Sequence, residues 1–357
     1  MAISVCHVIT TLERGGAENQ LLILVREQLV QGKKIIVIPL KGKLELIEEM
    51  SALGVTVETA LHNKSFWKQC LKVRKLIRSI DIVHLHLPRA EILSLFMGNI
   101  HRVHTRHNAE NFFPHSPRFI STFLSRLVTS DAHGVIAISR AVYDFLIRNK
   151  EVKLISRIHI VHYGYDKKRS SIKKIKPIGK EKYSIGTLAR LTPQKDLETL
   201  LHGFSIVLRE KKNIQLIIAG DGELRESLEK LAQQLDITCS INWLGKITDT
   251  EGFLAELDAF VLTSKYEGFG LVLLEAMQAN LPIVAANNSA IPEVLGENYS
   301  YLFETSNPIS LSEKILQLTN LHDSYEIEKF FKFRLNIFNP EKMEEKVNRL
   351  YESILAS

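Results

Sequence analysis

The stretch "SKYEGFGLVLLEAM", Ser264 to Met277, holds two carboxylates in settings that call for a partner. Glu275 interrupts a run, 271–277, that is otherwise apolar all round a helix. An ionised carboxylate costs several kcal/mol to bury unpaired, so Glu275 is read as facing a ligand or a cation, and the hydroxyls of a ribose would satisfy it. Glu267 stands before Gly268, Phe269 and Gly270, beside a helix start at Leu271 whose free N–H groups suit a phosphate. Carboxylate, anion cradle, carboxylate is an order that fits a sugar, a diphosphate and a ribose. The plainer alternative has Glu267 favouring the helix dipole and Glu275 paired with a structural lysine.

Other residues could complete such a site. In "TLARLTPQKDLETL", Arg190 and Lys195 flank Pro193 ahead of the expected N-cap Asp196. Two cations beside a helix start would grip a diphosphate, the arginine as a planar fork and the lysine as a point charge. Gly15 and Gly16, in "TTLERGGAENQLL", let backbone N–H groups approach an anion at a helix N-terminus, although the spacing is not that of a dinucleotide fingerprint. "GDGEL" from Gly220 imitates that fingerprint but puts Arg225 at its third glycine, and is read as a strand-to-helix turn. His101, His104 and His107 recur every third residue, with His84 and His86 in "HLH". That step suits neither a strand face nor a helical ligand pair, so metal ligation is disfavoured. His107, where a strand gives way to a loop, is read as a polar group aimed into the cleft. No D-x-D pair is present to chelate a metal–diphosphate complex; Asp249, Thr250 and Glu251 lie instead in "TDTE", a capping box.

These residues must be placed by elements, and short apolar runs alternate with helical patterns almost throughout, which argues parallel sheets with helical crossovers. "SVCHVIT", "KIIVIPL", "VTVET", "DIVHLHL", "RVHT" and "GVIAIS" read as strands of a first doubly wound domain, 1–166. A basic segment without apolar periodicity, 167–180, reads as a linker. "YSIGTLA", "IQLIIAG", "SINWLG", "AFVLTS" and "PIVAAN" restart the alternation in a second domain, 181–339, and 340–357 reads as a terminal helix. Ligands of such folds bind beyond the carboxyl ends of the strands.

Composition sets outer bounds. With 357 residues, 45% apolar and 24% charged, the chain is globular and long enough for two cores. Cys6, Cys70 and Cys239 are scattered and expected to be reduced, with no cysteine metal site. The opening "MAISVCHVIT" lacks a basic n-region and is too short for a span, so a cytoplasmic chain is expected. The net charge of +6 is uneven: residues 1–175 hold 27 Lys+Arg against 14 Asp+Glu, and the remainder 19 against 26. Nucleic acid, an anionic membrane or an anionic substrate could account for the basic half.

Taken together, "EGFGLVLLEAM", "GTLARLTPQKD", "IIAGDGELRESLE" and "PEVLGE" resemble the retaining glycosyltransferases of family four, glycosyl transferases group 1, over nearly the whole chain. The resemblance implies the GT-B fold, two Rossmann-like domains facing across a cleft. It implies that Arg190 and Lys195 bind the donor diphosphate, Glu275 the ribose, and Glu267 the sugar hydroxyls with help from the N–H groups of Phe269, Gly270 and Leu271 after Gly268. Gly15 and Gly16 would approach the phosphates, His107 would lie beside the sugar, and "INWLG" with Lys246, after Gly245, would contact the base. The chain departs from the family pattern at Ala189, Asp196, Asn280 and Ala290, each in place of a glycine, and at Tyr163, in place of an asparagine.

The expected activity is transfer of a hexose from a nucleotide diphosphate sugar, a UDP-sugar by family analogy, to a glycan or lipid-linked glycan acceptor, in polysaccharide or lipopolysaccharide synthesis. No cofactor and no catalytic metal are expected. A non-hydrolysing sugar-nucleotide epimerase shares the architecture and the donors, and the paired glutamates favour transfer. A nucleic-acid-binding protein is the non-enzyme alternative, disfavoured because the charge sits on a doubly wound domain. Two amphipathic stretches, 65–80 and 111–128, lie in the basic half. The first is read as an ordinary crossover helix. The second, with Phe112, Phe113, Phe119, Ile120, Phe123, Leu124 and Leu127 beside Arg118 and Arg126, is read as attachment to an anionic leaflet, on the inner face of the cytoplasmic membrane.

Overall fold

The computed structural model describes residues 2–110, 112, 117–166, 182–320 and 325–357, without the side chain of Arg118. The expected linker, 167–180, and Phe113 lie outside them. The chain divides into two compact units, Met1–Asp166 with Phe338–Ser357, and Lys167–Ile337.

The first unit carries strands β1 (Ser4–Ile9), β2 (Lys34–Pro39), β3 (Thr56–Val57), β4 (Ile82–His86), β5 (His101–Arg106), β6 (Gly134–Ala137) and β7 (Ile158–Ile160). They form one parallel sheet in the order β3-β2-β1-β4-β5-β6-β7. Its helices are α1 (Gly16–Val30), α2 (Ile47–Ala52), α3 (Phe66–Leu76), α4 (Pro88–Leu93), α5 (Arg118–Thr129) and α6 (Arg140–Arg148). Central strands of a parallel sheet are covered on both faces, and β4 and β6 are buried at every residue, His84 and His86 of β4 included. One face packs Leu21, Leu22 and Val25 of α1 with Val347 and Tyr351 of the terminal helix. The other packs Cys70 and Val73 of α3 with Leu93 of α4.

The second unit carries β8 (Tyr183–Leu188), β9 (Ile214–Ala219), β10 (Ile241–Gly245), β11 (Ala259–Leu262), β12 (Ile283–Ala286) and β13 (Leu302–Phe303), in the order β10-β9-β8-β11-β12-β13. Its helices are α7 (Leu197–Glu210), α8 (Arg225–Gln234), α9 (Thr250–Ala255), α10 (Leu271–Gln278), α11 (Ile291–Leu295), α12 (Pro308–Thr319) and α13 (Tyr325–Ile337). Beyond α13, Asn339 accepts a hydrogen bond from the Glu341 N–H at 2.8 Å and Pro340 occupies the first turn of α14 (Pro340–Leu355). The cap and the proline start a new helix there rather than extending α13. Glu344 of α14 then meets Lys33 at 2.6 Å, both side chains 5% exposed, inside the first unit.

Strand order reverses at one point in each sheet, between β1 and β4 and between β8 and β11. Crevices at the carboxyl ends of strands on either side of such a reversal are the binding places of doubly wound sheets. Three local expectations change. The cap of α9 is Asp249, accepting from the Gly252 N–H at 2.8 Å, rather than the Thr248 of a capping box. Asp196 stands at the N-cap of α7 in the left-handed region, but its carboxylate takes the hydroxyls of Thr199 at 2.9 Å and Ser306 at 2.6 Å instead of a backbone N–H. Phe112, expected on an exposed rim, is 2% exposed because its ring lies under the Arg106 guanidinium at 4.5 Å.

Candidate functional site

In the second unit the loops after β8 and β11, the strands flanking the reversal, carry the residues singled out from sequence. The loop after β8 presents Arg190, exposed and with no ion pair or hydrogen bond on its side chain among the described residues, and then Lys195. Two glycines hold this loop in place. At Gly220, with φ of +129°, a Cβ would stand 1.9 Å from the carbonyl oxygen of Ala189, and at Gly222 it would stand 2.5 Å from that of Leu191. The "GDGEL" turn therefore needs glycine for close backbone approach. The Gly220 N–H donates to the Gly245 carbonyl at 2.7 Å, which brings the end of β10 to the same edge, with Lys246 exposed beside it.

The loop after β11 supplies the acids. Glu267, 8% exposed, accepts from Lys195 Nζ at 2.6 Å and from Ser264 Oγ at 2.6 Å, both on Oε1, and its own N–H donates to Ser289 Oγ at 2.8 Å. Gly268 is part-exposed, Phe269 is 3% exposed, and Gly270 takes φ of +86° as the N-cap of α10. Past this left-handed residue the first N–H groups of the helix, those of Leu271 and Val272, have no intrahelical acceptors, while the Leu273 N–H donates to the Gly270 carbonyl at 2.9 Å. Glu275 lies in the second turn of α10, half-buried among the buried Leu274 and Ala276. Its side chain has no salt bridge or hydrogen bond among the described residues, so the plainer alternative of a structural lysine is not met there. Burial, and then the charge of Glu251, push its carboxyl up to about 7.

In the first unit Gly15 is the N-cap of α1, but the group closest to it is the chain's own Glu18. A Cβ on Gly15 would meet the Glu18 carboxylate at 2.4 Å, and Glu18 in turn accepts from Thr11 Oγ1 at 2.5 Å. Gly16 opens the helix beside them. His107, read as aimed into a cleft, is tied on both ring nitrogens to buried partners: Nε2 to His86 Nδ1 at 3.2 Å and Nδ1 to the Tyr163 hydroxyl. His86 Nε2 meets His7 Nδ1 at 3.1 Å, and His7 Nε2 meets Gln28 Oε1 at 2.8 Å. Burial holds His7 and His107 down to about 4 and His84 and His86 well below the usual histidine range, so all four rings are neutral at pH 7.

Sequence reasoning missed His7. Its signal was its place in β1 directly opposite His84 in β4, with His86 two residues on and hence on the same face. Ring nitrogens of His7, His84 and His86 lie within 4.8 Å of one another, which is the spacing of a metal centre. His101, grouped from sequence with His104 and His107, packs instead against His133.

The model for glycosyl transferases group 1 matches residues 168–329, and that for glycosyltransferase family 4 matches residues 14–169. A poly(ribitol-phosphate) alpha-N-acetylglucosaminyltransferase of Staphylococcus aureus is 26% identical over 172 residues, 43% of this chain and 35% of that one. An alpha-monoglucosyldiacylglycerol synthase of Streptococcus pneumoniae is 27% identical over 186 residues, 49% of this chain and 42% of that one. The match thus spans less than half the length of either relative. Among solved structures, Anabaena Alr3699/HepE in complex with UDP has a TM-score of 0.84 at 17% identity, covering 98% of this chain and 100% of that one.

Proposed function

Since the chain belongs to the glycosyl transferases group 1, with the two Rossmann-like units of the GT-B fold, we propose that it moves a hexose from a UDP-sugar to a glycan or lipid-linked glycan, with retention of configuration and without a catalytic metal, in polysaccharide or lipopolysaccharide synthesis. The observation that carries this reading is the convergence at one strand reversal of an exposed Arg190, its side chain unpaired among the described residues, the Lys195–Glu267 pair and the N-terminus of α10. Cations and helix N–H groups aimed at a departing diphosphate supply the charge stabilisation that a metal supplies elsewhere. Glu275 would take the ribose hydroxyls, Glu267 the sugar hydroxyls, and Gly245 with Lys246 the base. His107 would lie beside the sugar, with Gly15 and Gly16 near the phosphates. As no carboxylate among the described residues is assigned here as a nucleophile, the departing phosphate would assist the acceptor hydroxyl on the same face. The UDP complex of Alr3699/HepE supports the nucleotide, and the names of the two relatives support polymer and lipid acceptors.

The acceptor side favours a membrane surface. No helix among the described residues is long and apolar enough to cross a bilayer. On α5, however, Phe119 is 74% and Phe123 65% exposed, with Ile120, Leu127 and Arg126 also exposed. Such a face would hold the enzyme on an anionic leaflet of the cytoplasmic membrane, where a lipid-linked acceptor resides. The decisive experiment compares the wild type with Arg190→Ala for thermal stabilisation by UDP, GDP and ADP and for turnover of UDP-hexoses. UDP at 100 times its Kd should stabilise the wild type by about 2.7 kcal/mol. The variant should melt normally without ligand and lose both the shift and the turnover. Near-normal turnover by Arg190→Ala, or interconversion of the sugars without an acceptor, would overturn the proposal.

A further inference from the structure

The buried histidines continue beyond His7. Gln28 Nε2 lies 3.4 Å from the Tyr351 hydroxyl, which lies 2.6 Å from His84 Nδ1, and His84 Nε2 lies 2.6 Å from Thr105 Oγ1. A single file of hydrogen bonds therefore runs from Tyr163 through His107, His86, His7, Gln28, Tyr351 and His84 to Thr105.

A neutral imidazole offers one N–H and one lone pair, and a carboxamide offers both kinds of group at its two ends. Each histidine and Gln28 must then donate one way and accept the other, whereas the Tyr351 hydroxyl, with one proton and two lone pairs, can also accept from both sides. Between Tyr163 and Gln28 only two arrangements satisfy every link, one the full reversal of the other; any mixture there sets two N–H groups or two lone pairs face to face in a buried place. The orientation of Gln28 chooses between them. With Oε1 on His7 and Nε2 on Tyr351, His7 must carry its proton on Nε2, so its Nδ1 accepts from His86 Nε2–H. His86 Nδ1 then accepts from His107 Nε2–H, and His107 Nδ1 accepts from the Tyr163 hydroxyl.

We propose that His86, His7 and Gln28 are positioning residues that lock His107 as the neutral Nε2–H tautomer, in a file whose polarity between Tyr163 and Gln28 changes as one unit. The reading rests on His107 belonging to the transfer site. It also accounts for the metal-like spacing of His7, His84 and His86, since both ring nitrogens of each are already committed to hydrogen bonds.

The test is the tautomer of each ring, read at pH 7 from two- and three-bond ¹⁵N–¹H correlations in the full chain labelled at histidine. His7, His86 and His107 should each show a single Nε2–H pattern. Gln28→Leu should convert His107 to a mixture of tautomers or to Nδ1–H, although residue 28 touches only His7 among these three linked rings. Gln28→Glu, whose carboxylate can only accept from His7, should restore the Nε2–H pattern in His7, His86 and His107, while Tyr351, now donating to the carboxylate, accepts from His84 Nδ1–H. Mixed tautomers of His7, His86 or His107 in the wild type, or a His107 signal unmoved in Gln28→Leu, would overturn the proposal. So would a joint shift of His7, His84 and His86 on adding equimolar zinc, which would make the cluster a metal site. Should Gln28→Leu fail to fold, the wild-type pattern, the Gln28→Glu pattern and the zinc titration decide. Full transfer by His107→Ala with the tautomers intact would remove the functional role of His107 alone.

Discussion

Neutralising Glu275 should stabilise the unliganded protein, and by an amount that depends on pH. The carboxyl ordinarily titrates at 4.5 and is pushed up to about 7 in the fold by burial, with the charge of Glu251 adding to it. Each unit is worth about 1.4 kcal/mol, so the full displacement corresponds to about 3 kcal/mol. The side chain keeps some contact with water, and screening brings the expected penalty to about 1–2 kcal/mol.

The sign follows from which state holds the proton. The folded state binds it more tightly, so stability is fully present below pH 4.5, falls as pH rises through the window from 4.5 to about 7, and stays lowered above it. Glu275→Gln has no such window. Urea unfolding followed by Trp243 in β10, in a Trp67→Phe background, reads the second unit. The gap between Glu275→Gln and the parent should widen by about 1–2 kcal/mol between pH 4.5 and pH 8 in favour of glutamine. Saturating UDP should narrow it at pH 8 if ribose hydroxyls donate to the carboxylate. A gap that does not change with pH, or a glutamine variant less stable at pH 8, would show that the carboxylate has a partner in the free protein.

Two further perturbations address the elements around the site. Gly220→Ala forces a Cβ into the Ala189 carbonyl at a φ that side chains avoid; it should cost about 2 kcal/mol or more and weaken UDP binding further by moving the Arg190 loop, measured by melting and UDP titration. On α5, Phe119→Ser combined with Phe123→Ser should reduce sedimentation with anionic liposomes, which in the parent should rise with anionic lipid and fall with salt; equal binding to neutral vesicles, or none to either, would remove the membrane assignment.

Most strands were legible because a parallel sheet covered on both faces favours continuous apolar runs, as in "KIIVIPL" and "AFVLTS". Strand β13, two residues long, leaves no periodicity to read. The isolation of Glu275 was legible because an acid within an apolar helix stands out in one dimension. The Lys195–Glu267 pair was not, since its members are 72 residues apart and meet only because β8 and β11 are neighbours. His7 was hidden for the same reason, its relation to His84 being one of strand register. At Asp196 and Asn280 the expected glycines correspond to left-handed backbone, φ of 50° and 52°, which Asp and Asn tolerate better than other side chains do.

The pairing of Lys195 with Glu267 bears on how one site could hold a diphosphate and a sugar together. A carboxylate engaged on both oxygens would have to surrender a bond to accept a sugar hydroxyl, and a lysine spent wholly on it would be lost to the phosphates. Here Lys195 and Ser264 both donate to Oε1, and no described residue donates to Oε2. Oε2 can accept a hydroxyl without displacing either donor. Lys195 uses one of its three N–H groups on Glu267 and keeps two for an anion. The ion pair thus holds both side chains in place before a ligand arrives. An approaching diphosphate would meet the unpaired charge of Arg190 first, and Glu267, neutralised by Lys195, repels it less than a free carboxylate would. In the proposed donor site the pair would remove a repulsion where the sugar sits, and so would let an acid stand beside a phosphate cradle.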